Sequence, residues 1–193
     1  MPVNKSLSKV VVLISGSGSN LASIIQNAEK IGIKIECVIS NKADAFGLKR
    51  AANANITTAI IDNFNFKTRQ DFDQALAEKI NQFSPKLIIL AGFMRILSAD
   101  FISQFEGKIL NIHPALLPKF KGLNTHQRAI DSGEKFAGAS VHFVTNELDS
   151  GEVIMQKSVE ISAAETAKTL AKKVLKQEHI LYPKAIQKVL ENL

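Results

Sequence analysis

The sequence predicts an α/β fold, a sheet crossed by helices, and three observations carry that expectation. Strand and helix patterns alternate from one end of the chain to the other, as crossover connections require. Two runs, Val10-Val11-Val12-Leu13-Ile14 and Leu87-Ile88-Ile89-Leu90-Ala91, are apolar without alternation, the look of parallel strands covered on both faces. Near the C-terminus, Ala137 to Thr145 and Val153 to Ile161 are joined only by Asn146 to Glu152. That link is too short for a crossover helix, so this pair is expected to be antiparallel.

Taken in order, Lys9 to Ser15 reads as a central strand, and the turn Ser15-Gly16-Ser17-Gly18-Ser19-Asn20 follows it. Leu21, Ile24, Ile25, Ala28 and Ile31 then recur at helical spacing, with Gly32 placed to stop the helix. Lys34 to Ser40 is a second strand, Phe46 to Ala54 a helix and Thr57 to Ile61 a third strand. A longer helix covers Arg69 to Phe83, closed by Pro85, because the residue before a proline avoids helical angles. After the Leu87 strand come a loop at Phe93 to Leu97 and a short helix at Ser98 to Phe105. Ile109 to His113 is the next strand; Pro114 cannot continue a ladder and ends it. Pro114 to Gly122 is too irregular for a periodic element, and a helix is expected near Thr125 to Asp131, ending at Gly133. The last helical pattern, Ala164 to Leu190, contains Pro183, which is expected to kink or divide it. No repeat, low-complexity tract or linker interrupts the 193 residues, so a single domain over 1–193 is expected.

Composition excludes several classes of function. No apolar run approaches the roughly 20 residues that span a bilayer, and the start Met1-Pro2-Val3-Asn4-Lys5-Ser6 lacks the apolar core of a secretion signal. The expectation is a cytoplasmic protein with no membrane partner. Cys37, the only cysteine, lies in the buried-strand pattern Ile35 to Ile39 and reads as a small core residue. It forms no internal disulfide and no cysteine-based metal site. Lysine and arginine exceed aspartate and glutamate by 6, but the surplus is scattered and lacks interleaved aromatics. It fits small anionic substrates better than nucleic acid.

The residues that carry chemistry lie at turns and strand ends. The Ser15 to Asn20 turn follows a strand and opens a helix, where glycines let backbone amides approach an anion. It is an incomplete dinucleotide fingerprint, with Leu21 at the third glycine position, and it lacks the lysine of a triphosphate loop. The same glycines would also serve a merely tight turn. In Ile109-Leu110-Asn111-Ile112-His113-Pro114, alternation projects Asn111 and His113 from one face toward the strand's carboxyl end, the rim where open parallel sheets bind ligands. A satisfied, partly buried histidine is the plainer alternative. Asp149, in Leu148-Asp149-Ser150-Gly151, is either a turn former or the carboxylate partner of His113, which requires proximity that sequence spacing does not establish. His142 shares a strand face with Ser140 and either supports a neighbouring carboxylate or bonds within the sheet. His126 and His179 fall in helical patterns and are expected to face solvent or contribute caps; four scattered histidines make no ligand cluster. Glu178 interrupts the apolar stripe Ala167, Leu170, Val174, Leu181, Ala185, Val189. It either pairs with a basic residue or binds a polar ligand. Arg69 and the Phe93 to Leu97 loop are softer signals, ordinarily surface and core.

At these residues the chain resembles the phosphoribosylglycinamide formyltransferases of the folate-dependent formyltransferase family. The likeness runs from Val10 to about Tyr182, through Ile14-Ser15-Gly16-Ser17-Gly18-Ser19-Asn20, Ser40 to Ala45, Leu90 to Leu97, Asn111-Ile112-His113-Pro114, Ser140 to Val144 and Gln177-Glu178-His179. The Asn-x-His-Pro element alone marks the wider group of folate-linked formyl transferases and hydrolases. Small departures fall at Ser150, where glycine is common, at Asn146, where aspartate is common, and at Lys121, where proline is common.

The resemblance implies a Rossmann-like, three-layer arrangement around a mostly parallel sheet of about seven strands, with an antiparallel strand near the C-terminal end. It implies a nucleotide-binding half at about 1–100 and a folate-binding, catalytic half at about 101–193. Gly18, Ser19 and Asn20 would hold the ribonucleotide phosphate and sugar, and Glu178 the ribose hydroxyls. Arg69, Met94, Arg95, Ile96, Leu97 and Asn111 would contact the folate, and Thr145, Asn146, Glu147, Leu148 and Asp149 would surround its pterin. Asn111, His113 and Asp149 would be catalytic, with His142 in support. The reaction implied is direct transfer of the formyl group of 10-formyltetrahydrofolate, a cosubstrate, to the amine of glycinamide ribonucleotide, with no metal, in a monomer or homodimer. Hydrolysis of formyltetrahydrofolate is the nearest alternative, and a noncatalytic phosphate- or nucleic-acid-binding module is the alternative of another class.

Overall fold

Strands and helices alternate up to the final strand pair in the computed structural model, which describes residues 7–193. Among the described residues, seven strands, β1 (Ser8–Ile14), β2 (Ile33–Ser40), β3 (Thr58–Ile60), β4 (Leu87–Leu90), β5 (Ile109–His113), β6 (Phe136–Phe143) and β7 (Val153–Glu160), have the order β3-β2-β1-β4-β5-β6-β7. The chain divides into two compact units, one ending at Ile109 and the other running from Leu110 to Asn192.

In the first unit, β1 (Ser8–Ile14) is fully buried from Val10 to Ile14, as its unbroken apolar run requires. It pairs in parallel with β2 (Ile33–Ser40) on one side and β4 (Leu87–Leu90) on the other. The short strand β3 (Thr58–Ile60) pairs in parallel with β2. Helices α1 (Ser19–Asn27), α2 (Phe46–Asn53), α3 (Arg69–Asn81) and α4 (Ala99–Gln104) supply the connections. Thr68 caps α3, accepting from the Asp71 amide at 3.1 Å. The buried Asp73 of α3 accepts at 2.6 Å from the backbone of Ser98, itself the cap of α4. A carboxylate is therefore spent on fixing where the chain leaves the β4 loop. A 3-10 turn at Asn63–Asn65, started by Asp62 accepting from the Phe64 amide, was not legible in the hydrophobic pattern. Helix α1 ends at Asn27, before the left-handed Gly32 (φ 71°), and a turn fills the interval.

In the second unit, β6 (Phe136–Phe143) runs antiparallel to both β5 (Ile109–His113) and β7 (Val153–Glu160). The antiparallel link foreseen from the short Asn146 to Glu152 connection is present. Helix α5 (Thr125–Asp131) contacts α6 (Ala167–Glu191), and α6 packs on β6 and β7. Thr166 and Thr169 form a reciprocal capping box that starts α6 at Ala167 rather than Ala164. Pro183 does not divide the helix: α6 continues through it. Proline inside a helix costs on the order of 3 kcal/mol, but Leu181, Tyr182, Pro183, Ala185 and Ile186 are all buried here. Their packing outweighs the missing amide. The Tyr182 hydroxyl donates to the Leu110 carbonyl at 3.1 Å, fastening α6 to the strand that carries Asn111 and His113. Cys37 is buried in β2, the role its segment suggested. Among the described residues, no helix is long and apolar enough to cross a membrane.

Candidate active site

A cluster of four polar side chains sits within the second unit. Strand alternation puts Asn111 and His113 on one face of β5, and the antiparallel register sets Asn111 opposite His142 and His113 opposite Ser140. Between Val141 and His142 the pairing with β7 shifts by one residue, a bulge of the kind that re-aims a side chain beside a site. Asp149 closes the group: its Oδ2 lies 3.3 Å from His113 Nδ1 and its Oδ1 3.6 Å from His142 Nε2. His113 is 5% exposed and the Asp149 side chain 8%.

The hydrogen bonds fix the orientation of the amide and both rings. His142 Nδ1 donates to the Phe143 carbonyl at 2.8 Å, leaving Nε2 to accept from Asn111 Nδ2 at 3.2 Å. The Asn111 amide is thereby turned, with its second N–H unused by His142. His113 Nε2 donates to the Phe120 carbonyl at 2.9 Å while Nδ1 faces Asp149. An imidazole between two acceptors satisfies both only when both nitrogens carry hydrogen. Burial, the largest single influence on Asp149, pushes its carboxyl up; the neighbouring imidazoles of His142 and His113 and the Gly122 hydrogen bond together outweigh it. The net effect holds the carboxyl below its ordinary value, so Asp149 is an anion across the neutral range. His126 is half-buried rather than solvent-facing, its Nδ1 shut away without a hydrogen-bond partner. Burial, and then the charge of His113, lower its pKa. His179 is also half-buried.

Asp149 owes its position to a strained turn. Its φ of 48° is left-handed, which aspartate tolerates better than most residues. At Gly151, a Cβ would stand 1.8 Å from the Phe143 carbonyl oxygen, so only glycine lets the turn lie that close to β6. The Gly122 amide donates to Asp149 Oδ2 at 2.9 Å, and Lys121 Nζ donates to Ser150 Oγ at 2.5 Å. Two of the departures noted in the sequence, Lys121 and Ser150, therefore meet each other. Thr145, Asn146, Glu147 and Leu148 are exposed on the way into this turn. Glu178, on the buried face of α6, is 7% exposed.

The first unit holds a glycine turn and an apolar loop. Gly18 is left-handed (φ 68°), and a Cβ on it would lie 2.6 Å from the Cα of Gly47 in α2. The Gly47 amide donates to the Gly16 carbonyl at 3.0 Å, and Arg50 Nε donates to the Ser17 carbonyl at 2.9 Å. These bonds turn the carbonyls of the turn toward α2; Gly18 itself serves as the cap residue of α1. Gly18→Ala is expected to destabilise the fold by about 1–3 kcal/mol through left-handed strain and this close approach, read as a fall in the thermal midpoint; an unshifted midpoint would show that the turn relaxes freely. Ser15 Oγ donates to Asn41 Oδ1 at 2.5 Å and accepts from the Met94 amide at 2.7 Å, tying the glycine turn to the Phe93 to Leu97 loop. In that loop Met94 and Ile96 are exposed, Leu97 is buried and Arg95 is half-buried over the Phe72 ring. Arg69 opens α3 exposed to solvent.

A family model described as formyl transferase matches residues 8–186 of this sequence. The chain belongs to the formyl transferase family. It is 48% identical over 179 residues to phosphoribosylglycinamide formyltransferase of Escherichia coli, covering 92% of this chain and 84% of that protein. Against the human trifunctional purine biosynthetic protein adenosine-3 it is 43% identical over 187 residues, 96% of this chain but 18% of that longer protein. Among solved structures, the phosphoribosylglycinamide formyltransferase of Coxiella burnetii superposes with a TM-score of 0.90 at 49% identity, covering 94% of this chain and 86% of that one. That of Brucella melitensis gives 0.91 at 45% identity, with 95% of each chain covered. The α/β class with a mixed seven-stranded sheet is the fold of this formyl transferase.

In this formyl transferase the residues singled out from sequence divide by unit. Asn111, His113, His142 and Asp149 meet within the second, in direct or near-direct contact. Sequence reasoning missed the supports around them. Ser140 Oγ donates to the Ala115 carbonyl (2.6 Å) and accepts from the Leu117 amide (3.0 Å), and Gln156 Nε2 donates to both Ser140 Oγ and the Leu117 carbonyl at 2.8 Å. His113, Ser140 and Gln156 occupy matched register positions on three adjacent strands, a rank that only the pairing reveals. Gly47 gave no signal either, since a helical glycine reads as a weak helix former. Among the described residues, no group of three or more histidine, cysteine, aspartate or glutamate side chains is placed to hold a metal ion.

Proposed function

We propose that this formyl transferase moves the formyl group of 10-formyltetrahydrofolate to the primary amine of glycinamide ribonucleotide. Its relatives named phosphoribosylglycinamide formyltransferase support that substrate pair. The observation that carries the chemistry is the contact of His113 with Asp149, 3.3 Å apart and buried beside the Asn111 amide. As the amine's nitrogen bonds to the formyl carbon, charge grows on the formyl oxygen. Asn111, through its unused N–H, and His113, through a ring N–H, stabilise that oxygen most when it is most charged. Asp149 keeps the imidazole a donor and takes part in passing the amine's proton, through water, to the folate nitrogen whose bond to the formyl carbon breaks. His142 orients Asn111 and faces Asp149.

For binding, Gly18, Ser19 and Asn20 hold the ribonucleotide's phosphate and sugar and Glu178 its ribose hydroxyls. The flat folate takes Arg69, the Met94 to Leu97 loop with Arg95, Asn111 and the Thr145 to Asp149 turn. This reading treats 1–193 as one functional domain whose halves serve nucleotide and folate. The deciding assay measures formylated ribonucleotide with the two substrates separately and together. Product requiring both supports transfer; formate released from the folate without ribonucleotide would instead identify a hydrolase.

A further inference from the structure

The segment from Phe120 to Asn124 is held against its own conformational preference. Phe120, Gly122 and Asn124 are all left-handed, at φ 57°, 79° and 57°, and for Phe120 in particular that region is unfavourable. One side chain of α5 holds most of it: Arg128 Nη1 donates to the Lys121 carbonyl at 2.6 Å and to the Leu123 carbonyl at 3.2 Å, and its guanidinium lies 5.5 Å from the centre of the Phe120 ring. The Lys121 to Ser150 and Gly122 to Asp149 bonds tie the same residues from the other side. Upstream, Ser140 and Gln156 pin the backbone at Ala115 and Leu117. The part free to move therefore begins after Leu117.

The product of this restraint is a carbonyl oxygen, that of Phe120, 2.9 Å from His113 Nε2. A formyl oxygen needing stabilisation would approach the same N–H, and two oxygens cannot both sit at full hydrogen-bonding distance along it. We propose that Arg128 is a positioning residue: it latches the Phe120 carbonyl onto His113 in the place the donor's formyl oxygen takes, and so weakens binding of the formyl donor. The inference rests on the formyl-transfer reading of the site. A cavity of about 340 Å³, lined by Pro114, Leu116, Leu117, Phe120, Ala129 and Phe136, adjoins the segment and gives the Phe120 peptide room to withdraw. Withdrawal would also free Asp149 Oδ2 from the Gly122 amide, leaving it to His113.

The apparent affinity of a ligand falls with the fraction of protein competent to bind it. In Arg128→Met, which keeps the stem but removes both donors, the KM for 10-formyltetrahydrofolate is expected to fall about fivefold, with the KM for glycinamide ribonucleotide changed by less than about twofold. Without ligands, trypsin cleavage after Lys119 and Lys121 is expected to rise by about the same factor, because it follows the open population. Arg128→Lys, retaining the charge without the fork, falls between. A merely structural residue would raise the donor KM on removal. A donor KM that is unchanged or raised in Arg128→Met, or cleavage no faster than wild type, overturns the proposal. The cleavage experiment needs no donor, so a wild-type protein that fails to formylate ribonucleotide refutes the reaction while leaving Arg128's hold on the segment separately measured.

Discussion

His113→Ala is expected to lower kcat about a hundredfold or more while leaving the KM for ribonucleotide within about twofold. Removing one donor to a developing oxyanion costs on the order of 3 kcal/mol in the barrier, and the interaction strengthens only as charge forms, so it appears in kcat rather than in ground-state binding. Alanine also leaves the Asp149 carboxylate with Gly122 and His142 alone, removing the proton path together with the donor. Steady-state kinetics with each substrate varied in turn read the effect. Turnover near the wild-type level would remove His113 from the chemistry altogether.

Asp149→Asn is expected to abolish most activity, by about 10²–10⁴ in kcat, in a protein that still folds. Asparagine is among the few residues that accept the left-handed φ of 48° found there, and its amide oxygen can still take the Gly122 hydrogen bond. It brings no charge to hold His113 as a donor. The same variant tests the electrostatics through stability. Asp149's carboxyl lies below its ordinary value of 3.8 in the folded protein, so the unfolded chain binds the proton more tightly. The stabilisation is complete above that ordinary value and is lost as pH falls through the lower folded value. Thermal midpoints of wild type and Asp149→Asn should therefore converge as the pH is lowered below about 4. A difference that stays constant with pH would mean the carboxylate is not favoured by its surroundings.

The strands were legible because burial on both faces leaves an unmistakable apolar run: β5 has the bounds Ile109–His113 read from sequence, and α5 has Thr125–Asp131. Pro183 does not divide α6, because local rules describe an isolated helix, whereas α6 is held along its buried face. Within the site, Asn111 and His113 could be paired from alternation alone. Their meeting with Asp149 could not, since it depends on how the turn at Gly151 presses on Phe143. The partner of the His113 ring, a backbone carbonyl, carries no residue signature at all. Arg128 gave no signal in the sequence for the same reason: what it grips is main chain.

The pairing of β5 with β6 gives the cluster an unusual sensitivity to reading frame. Asn111 answers His142 and His113 answers Ser140, while Val141, between them in sequence, answers Ile112. Inserting or deleting a single residue within β6, ahead of Ser140, would bring apolar neighbours into the register positions of Ser140 and His142. Lineages of this fold should therefore hold the strand's residue count rigid.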